Sequence, residues 1–303
     1  MKKNHLILAA VLIAALLIPF VVSPVFLMKV LALALFACAF NLLLGFGGMI
    51  SFGHAAFFGA GAYFFAHAVK AWGFPLEIAI PLAMLIGAVI GALFGIVAVR
   101  RQGIYLAMIT LALAQLVYFA LLQAPFTNGE DGIQGVPRAT ATGVDLSSDF
   151  LLYYVVLAIV TFALTLIYRA SQSPFGHVMK AIRDNERRAI SLGYRVNRYK
   201  VALFALSATF SSLAGALKVL VLQLASLSDA HWSLSGEVIL MALLGGLNYV
   251  FAPAIGAGLV VTMQNYLSSL GPWVSFVQGL IFVICVVLFR NGIASIFSRH
   301  ERS

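Results

Sequence analysis

"SPFGHVMKAIRDNERRAISLGYRVNRYK", residues 173–200, is a charged island in a chain that is otherwise mostly apolar. From Arg169 through Lys200 stand eight Lys or Arg residues, opposed by two acids, Asp184 and Glu186. Ser173 is placed to cap a helix, and Pro174 suits its first position, where a missing N–H costs nothing. Phe175, Val178, Met179, Ile182, Ala189 and Ile190 then recur near helical spacing, with Lys180, Arg183, Asp184, Arg187 and Arg188 between them. Gly193 is placed to end the run. The spacing predicts one amphipathic helix over 174–193. Between membrane spans such a helix offers a docking surface to something soluble; a solvated loop or a contact with anionic lipid are the other readings.

Outward from this island the chain is built of apolar runs. Of its 303 residues 62% are hydrophobic and only 10% charged, against about 25% charged in soluble domains. This is the composition of an all-α polytopic membrane protein. The net charge of +9 does not point to nucleic acid, because the Lys and Arg gather in short loops and at the ends of apolar runs. Cys38 and Cys285 each lie inside an apolar run and read as small buried hydrophobes, not as a disulfide or a metal site. The opening "MKKNHLILAAVLIAALLIPF" has the charge pattern of a signal peptide. No small-x-small cleavage pattern follows it, and a retained first span is expected.

With ~20 residues needed to cross a bilayer, the runs suggest about ten spans. They fall near 6–22, 26–44, 53–70, 76–99, 103–123, 150–168, 201–222, 237–250, 254–270 and 273–289. The basic positions Lys2, Lys3, Arg100, Arg101, the loop 169–200 and Arg290, Arg299 and Arg302 belong in the cytoplasm. The loop 124–149, with Glu130, Asp131, Asp145 and Asp149 against Arg138, belongs outside, as does the segment holding Asp229 and His231. Ten spans satisfy every assignment with both termini cytoplasmic. Eight also fit if the glycine-broken stretch 45–53 and the short run 237–250 are re-entrant. Ala83, Gly87, Gly91 and Gly95 form a small-residue stripe expected to pack against another helix of the same chain. The glycine-rich stretches 43–63 and 243–258 are loosely alike and read as two broken-helix elements.

The acids limit the chemistry. All ten Asp and Glu lie in loops or near span ends, Glu77 and Glu237 being closest to the membrane. A proton-coupled carrier usually keeps an ionisable group within its spans, and an aspartyl protease needs two. His54 has Ser51 three residues before it, a pair expected to hydrogen-bond structurally and not to act as a catalytic dyad. Lys218, near the end of its span, is expected to snorkel to the interface. No G-x-x-x-x-G-K-[ST] occurs, so no phosphate-cradling loop is offered. The combination fits the membrane half of a transporter whose energy comes from a separate ATPase docked on the basic helix. The few polar residues in or beside spans are candidates for the translocation pathway: Asn41, Ser51, His54 and Thr110, then Gln115, Asn248, Gln264 and Asn265. The 41–54 group comes first, since broken helices often line such routes.

The segments "NLLLGFGGMISFGHAAFFGAGAY" (41–63), "GIYLAMITLALAQL" (103–116), "NGEDGIQGVP" (128–137) and "SPFGHVMKAIRDNERRAISLG" (173–193) resemble branched-chain amino-acid ABC importer permeases of the M-type. "SATFSSLAGAL" (207–217) and "SGEVILMALLGGL" (235–247) continue the match. The resemblance implies a type II, vitamin-B12-permease-like helical fold, with residues 1–303 as a single permease domain in a bacterial inner membrane. It implies a homologous second permease, two ATPase subunits that carry the ATP and magnesium, and a periplasmic substrate-binding protein. Residues 169–200 become the cytoplasmic coupling loop between spans six and seven. Its ATPase-docking residues would be Phe175, Val178, Met179, Ile182, Arg183, Glu186, Ala189, Ile190 and Gly193, with Met179 and Ile182 becoming buried on assembly. Urea and short-amide permeases look alike at this level, and an ion-coupled secondary carrier is the reading from another class. In "LGGLNYVFAPAIGA" the residues Asn248, Tyr249 and Ala252 replace smaller or more flexible ones of the family pattern.

Overall fold

The computed structural model describes residues 15–138, 146–247, 249–267 and positions 276, 277, 279, 280 and 283. The fold is almost wholly helical. Helix α1, Pro24–Asn41, is apolar around its circumference apart from Lys29 and the terminal Asn41, the pattern of a helix surrounded by others, and it is buried from Ala32 to its end. It tightens into a π-helical turn at Leu42–Phe46. An irregular link follows, in which Gly48 takes φ +64°, and helix α2 begins at His54 and runs to Lys70. The stretch 45–53 is therefore a break and not a span. Rich in Ala and Gly, α2 is nearly all buried. A side chain at Gly61 would strike the Ser212 backbone and one at Gly59 would strike Ala230.

Helices α3 (Leu76–Ala98), α4 (Ile104–Gln123) and α5 (Asp149–Gln172) each expose apolar residues along one side. Two short helices follow, α6 (Pro174–Asp184) and α7 (Glu186–Ser191), and then the long α8, Val196–Leu222. The stripe expected to pack internally does so. Cβ atoms added at Gly87, Gly91 and Gly95 would meet Ser212, Ala208 and Val201 of α8. Helices α9 (Trp232–Gly245) and α10 (Ala252–Leu267) form a hairpin against α1. Gly246 at φ +115° ends the first of them.

Among the described residues, five helical stretches are long and apolar enough to cross a membrane: Pro24–Phe46, Leu76–Ala98, Ile104–Gln123, Asp149–Gln172 and Val196–Leu222. The expected span 273–289 lies mostly outside the described residues, as does most of 6–22. Two boundaries need correction. The helix expected from 201 starts at Val196, because buried Lys200 pairs with Glu186 and carries the helix past the apolar run. The helix expected over 237–250 occupies 232–245.

At the end of the bundle away from α6 and α7, strand β1 (Ile133–Gln134) pairs antiparallel with β2 (Leu224–Ala225), Ile133 facing Ala225. The chain then turns inward through a 3-10 helix, Leu227–Ala230, which packs on Gly59 of α2. Lys218 does not snorkel. Its ammonium meets both carboxylate oxygens of Asp229 at 2.8 and 2.6 Å.

Candidate functional site

The charged island folds as two helices, not one. Ser173 caps α6 by accepting from Gly176 N at 3.4 Å, with Pro174 first in the helix, as its sequence indicates. Asn185 then leaves the helical region at φ −156° and its side chain accepts from Arg188 N at 3.0 Å. Asn is among the strongest N-caps, and here it restarts the helix as α7. Gly193, at φ +86°, ends α7 with Tyr194 N bonded to the Ala189 carbonyl and Gly193 N to that of Ile190. This is the Schellman pattern, in which glycine takes the left-handed position.

The break turns the apolar side chains toward the protein. Met179, Ile182 and Ala189 are buried within this chain, and Phe175 and Val178 are packed against its core. The expectation that Met179 and Ile182 wait for a partner is thus corrected: the helix bundle already covers them. Glu186 is also engaged, bonded to Lys200 Nζ at 2.7 Å and to Gln102 Nε2 at 2.5 Å, so it ties α7 to α8 and to the α3–α4 turn. The outward residues around α7 include Arg187, Arg188, Ile190, Leu192, Gly193 and Tyr194, with Ile190 57% and Leu192 70% exposed. A groove of about 300 Å³ beside them is lined by Glu186, Ile190, Arg195, Val196, Asn197 and Arg198.

Arg183 is partly exposed and pairs with Asp184 at 3.3 Å, but one arm of its guanidinium reaches the bundle. Its Nη1 donates to the carbonyl of Gly45 in the π-helical turn. Its aliphatic stem covers Gly48, where a Cβ would come within 2.6 Å of Arg183 Cγ. One turn earlier, the Lys180 ammonium lies 5.0 Å from the centre of the Phe46 ring, a cation–π distance. The two basic side chains fasten α6 to the point where α1 breaks. An under-wound turn has carbonyls that α-helical bonding leaves open, and an arginine is well suited to occupy one.

The polar residues of 41–54 lie just beyond this contact, all buried. Asn41 Nδ2 donates to the Tyr249 carbonyl at 3.0 Å. A Cβ at Gly45 would come within 2.6 Å of the Leu247 carbonyl. The two glycine-broken stretches therefore meet each other. Thr110 Oγ1 accepts from Phe52 N at 3.1 Å, and Ser51 Oγ accepts from Gly53 N. His54 interacts with the Ser51 backbone, and its side-chain partner is Ser207 of α8, with Nε2 and Oγ 2.9 Å apart. Ser207 spends its single proton on the Ala39 carbonyl at 2.7 Å, so His54 must be the donor. A serine that accepts from histidine is not being activated as a nucleophile; the bond joins α1, α2 and α8. Phe40 and Phe57 stand edge-on to the imidazole, 4.7 and 5.3 Å away.

Gln115 is half-buried farther along α4 and does not join this group. Asn248 lies outside the described residues. Gln264 reaches Glu237 on α9, and Asn265 is exposed. Sequence reasoning missed Ser207, Ser212 and Ser235. Ser212 donates to the Phe57 carbonyl at 2.7 Å, and Ser235 accepts from Ala55 N at 2.9 Å. Their signal is a serine recurring on a helix face that is otherwise small and apolar, as in "SATFSS" (207–212).

The family described as branched-chain amino acid transport system / permease component matches residues 24–286. The high-affinity branched-chain amino acid transport system permease protein LivM of Salmonella typhimurium is 28% identical, over 96% of this chain and 75% of its own length. The autoinducer 2 import system permease protein LsrD of an Enterobacter species is 29% identical, over 77% of this chain and 75% of its own. The ribose import permease protein RbsC of Haemophilus influenzae is 25% identical, over 72% and 69%. No solved structure matches.

Proposed function

We propose a function for a chain that belongs to the family of branched-chain amino acid transport system permease components: it is the non-catalytic, membrane-spanning subunit of an ATP-driven importer for leucine, isoleucine and valine. The observation that carries this reading is the fastening of α6 to the break in α1 through Arg183 and Gly45. A soluble motor pressing on α6 and α7 would move the π-helical turn, and with it Asn41, Ser51 and His54. We assign these three, with Gln115 and Asn248, to the moving wall of the translocation pathway.

The motor is a pair of ATPase subunits, which supply the ATP and magnesium. Their docking surface is the outward side of the coupling loop 169–200. Ile190, Leu192 and Tyr194 form its apolar centre, with Arg187 and Arg188 beside them; Met179 and Ile182 hold the loop to the permease. The remaining assembly is a homologous second permease and a periplasmic binding protein. Residues 1–303 form one domain of about ten spans in the type II importer arrangement, in a bacterial inner membrane with both termini cytoplasmic. The similarity to LsrD and RbsC supports a second reading, a sugar importer of the same construction, and urea or a short amide is a third substrate class.

The test is reconstitution of the permease with its ATPase and binding-protein partners in proteoliposomes, supplied with labelled leucine, ribose or urea. Leucine should accumulate only with ATP inside. Ribose or urea uptake in place of leucine would replace the substrate. Accumulation driven by an ion gradient without the ATPase would overturn the importer reading.

A further inference from the structure

The groove of about 300 Å³ beside α7 has two walls. Glu186 and Ile190 of α7 make one, and Arg195, Val196, Asn197 and Arg198 at the start of α8 make the other. Contacts within the chain hold it in shape. Gly193, at φ +86°, turns the chain between the two helices. Glu186 is bonded to Lys200 Nζ at 2.7 Å, which fixes the α7 wall to α8. Tyr199 stacks on Phe175 of α6 at 5.8 Å and meets Tyr194 edge-on at 6.1 Å, so the first turn of α8 is braced. Val196, 5% exposed, gives the groove a buried apolar lining.

Its charge is unspent. Arg195, Asn197 and Arg198 are exposed, and among the described residues none of their side chains has a hydrogen-bond or ion-pair partner. The one acid in the lining, Glu186, is taken by Lys200 and Gln102. Two guanidinium groups therefore line the groove with nothing in it to neutralise them. Arg195 and Arg198 stand three apart, a spacing that sets two side chains on one face of a helix. Each guanidinium carries five N–H donors in a planar fork matched to a carboxylate. The positive end of α8, a helix of 27 residues, adds to the same sign.

At the mouth of the groove Ile190 is exposed, and Leu192 and Tyr194 continue it as an apolar rim. A cationic wall beside an apolar rim suits a protein segment that carries a carboxylate and an apolar side chain together. A free phosphate would leave the rim uncovered. Anionic lipid is the poorer fit, because α8 is packed by α1, α2 and α3 and is among the most buried of the long apolar helices. We propose that the groove receives a protruding acidic segment of the ATPase, its carboxylate held by Arg195 and Arg198 and an apolar neighbour lying on Ile190. The contact then runs both ways: α7 presses on the motor, and the motor inserts into the permease. The proposal rests on the ATPase-docking reading above and adds the chemistry of the segment that docks.

The experiment uses the permease with its purified ATPase subunits. Arg195→Gln together with Arg198→Gln should weaken ATPase binding about tenfold or more, as the loss of charge-assisted hydrogen bonds does. The dependence of binding on salt should flatten, while the permease still elutes as a monodisperse species. Arg100→Gln together with Arg101→Gln removes the same charge from the exposed α3–α4 turn and should leave binding at the parent level. In a separate variant, Arg198→Lys is treated with a carbodiimide, which joins an amine to a touching carboxylate as an amide and releases a urea. Mass spectrometry of the joined peptides should place position 198 on an Asp or Glu of the ATPase. Parent-level binding by the groove variant, an equal loss in the α3–α4 variant, or no cross-link from position 198 would overturn the groove and leave the importer reading standing. So would anionic lipid that the parent retains and the groove variant loses while ATPase binding stays the same. ATPase subunits that fail to bind the unmodified permease would overturn both.

Discussion

Lys218→Met would remove the partner of a carboxylate that has nowhere to go. Lys218 and Asp229 side chains are 15% and 10% exposed, and the ammonium bonds both carboxylate oxygens. After the substitution Asp229 keeps one described donor, Ser226 N at 3.1 Å. Removing one partner of a buried ion pair costs ~3–5 kcal/mol, chiefly because the other charge is stranded. Adding Asp229→Asn takes that charge away and leaves an oxygen to accept from Ser226 N. The double variant should therefore return to within ~1 kcal/mol of the parent, since replacing both members of such a pair is often neutral. Unfolding in mixed detergent, followed by tryptophan fluorescence, measures the cycle, and Trp232 stands three residues from Asp229 as a local reporter. A double variant as unstable as Lys218→Met would refute the stranded-charge reasoning. So would a single variant as stable as the parent.

Arg183→Met should lower uptake about tenfold or more, since a charged hydrogen bond is worth ~1.5–3 kcal/mol, while ATPase recovery stays normal; lost recovery would mean that Arg183 touches the motor. The pair Ile190→Asp and Leu192→Asp should instead abolish ATPase recovery from a folded permease, each side chain contributing ~1.5–3 kcal/mol when covered; normal recovery in a pull-down would move the docking surface elsewhere. Gly91→Leu should prevent folding, because its Cβ meets Ala208 and the Phe204 carbonyl, whereas Gly236→Ala has open space and should be tolerated; equal yields of monodisperse protein would contradict the packing. Single cysteines at Asn128 and Ser228 should react with an impermeant thiol reagent outside the inner membrane and one at Asn185 should not; all three positions are exposed, so labelling at Asn185 would reverse the orientation.

The apolar runs, the Ser173–Pro174 helix start, the Gly193 stop and the inward packing of Ala83, Gly87, Gly91 and Gly95 were legible in the chain alone. Each rests on local chemistry: a cap needs only its own turn, and a stripe of small residues has one geometric use. The break at Asn185 was legible in principle, yet helical periodicity running on past it concealed the cap. Periodicity shows that Met179 and Ile182 share an apolar face, but not which body covers that face; the tertiary structure covers it with the permease itself. Polar pairing was least legible. His54 finds Ser207, Asn41 finds Tyr249 and Arg183 finds Gly45 across separations of 153, 208 and 138 residues. Gln264 meets Glu237 only because α9 and α10 pack as a hairpin. In a membrane the lipid-facing and protein-facing sides of a helix are both apolar, so hydropathy carries no rotation or register. Helix packing supplies both, and with them the partners that His54, Asn41 and Arg183 find.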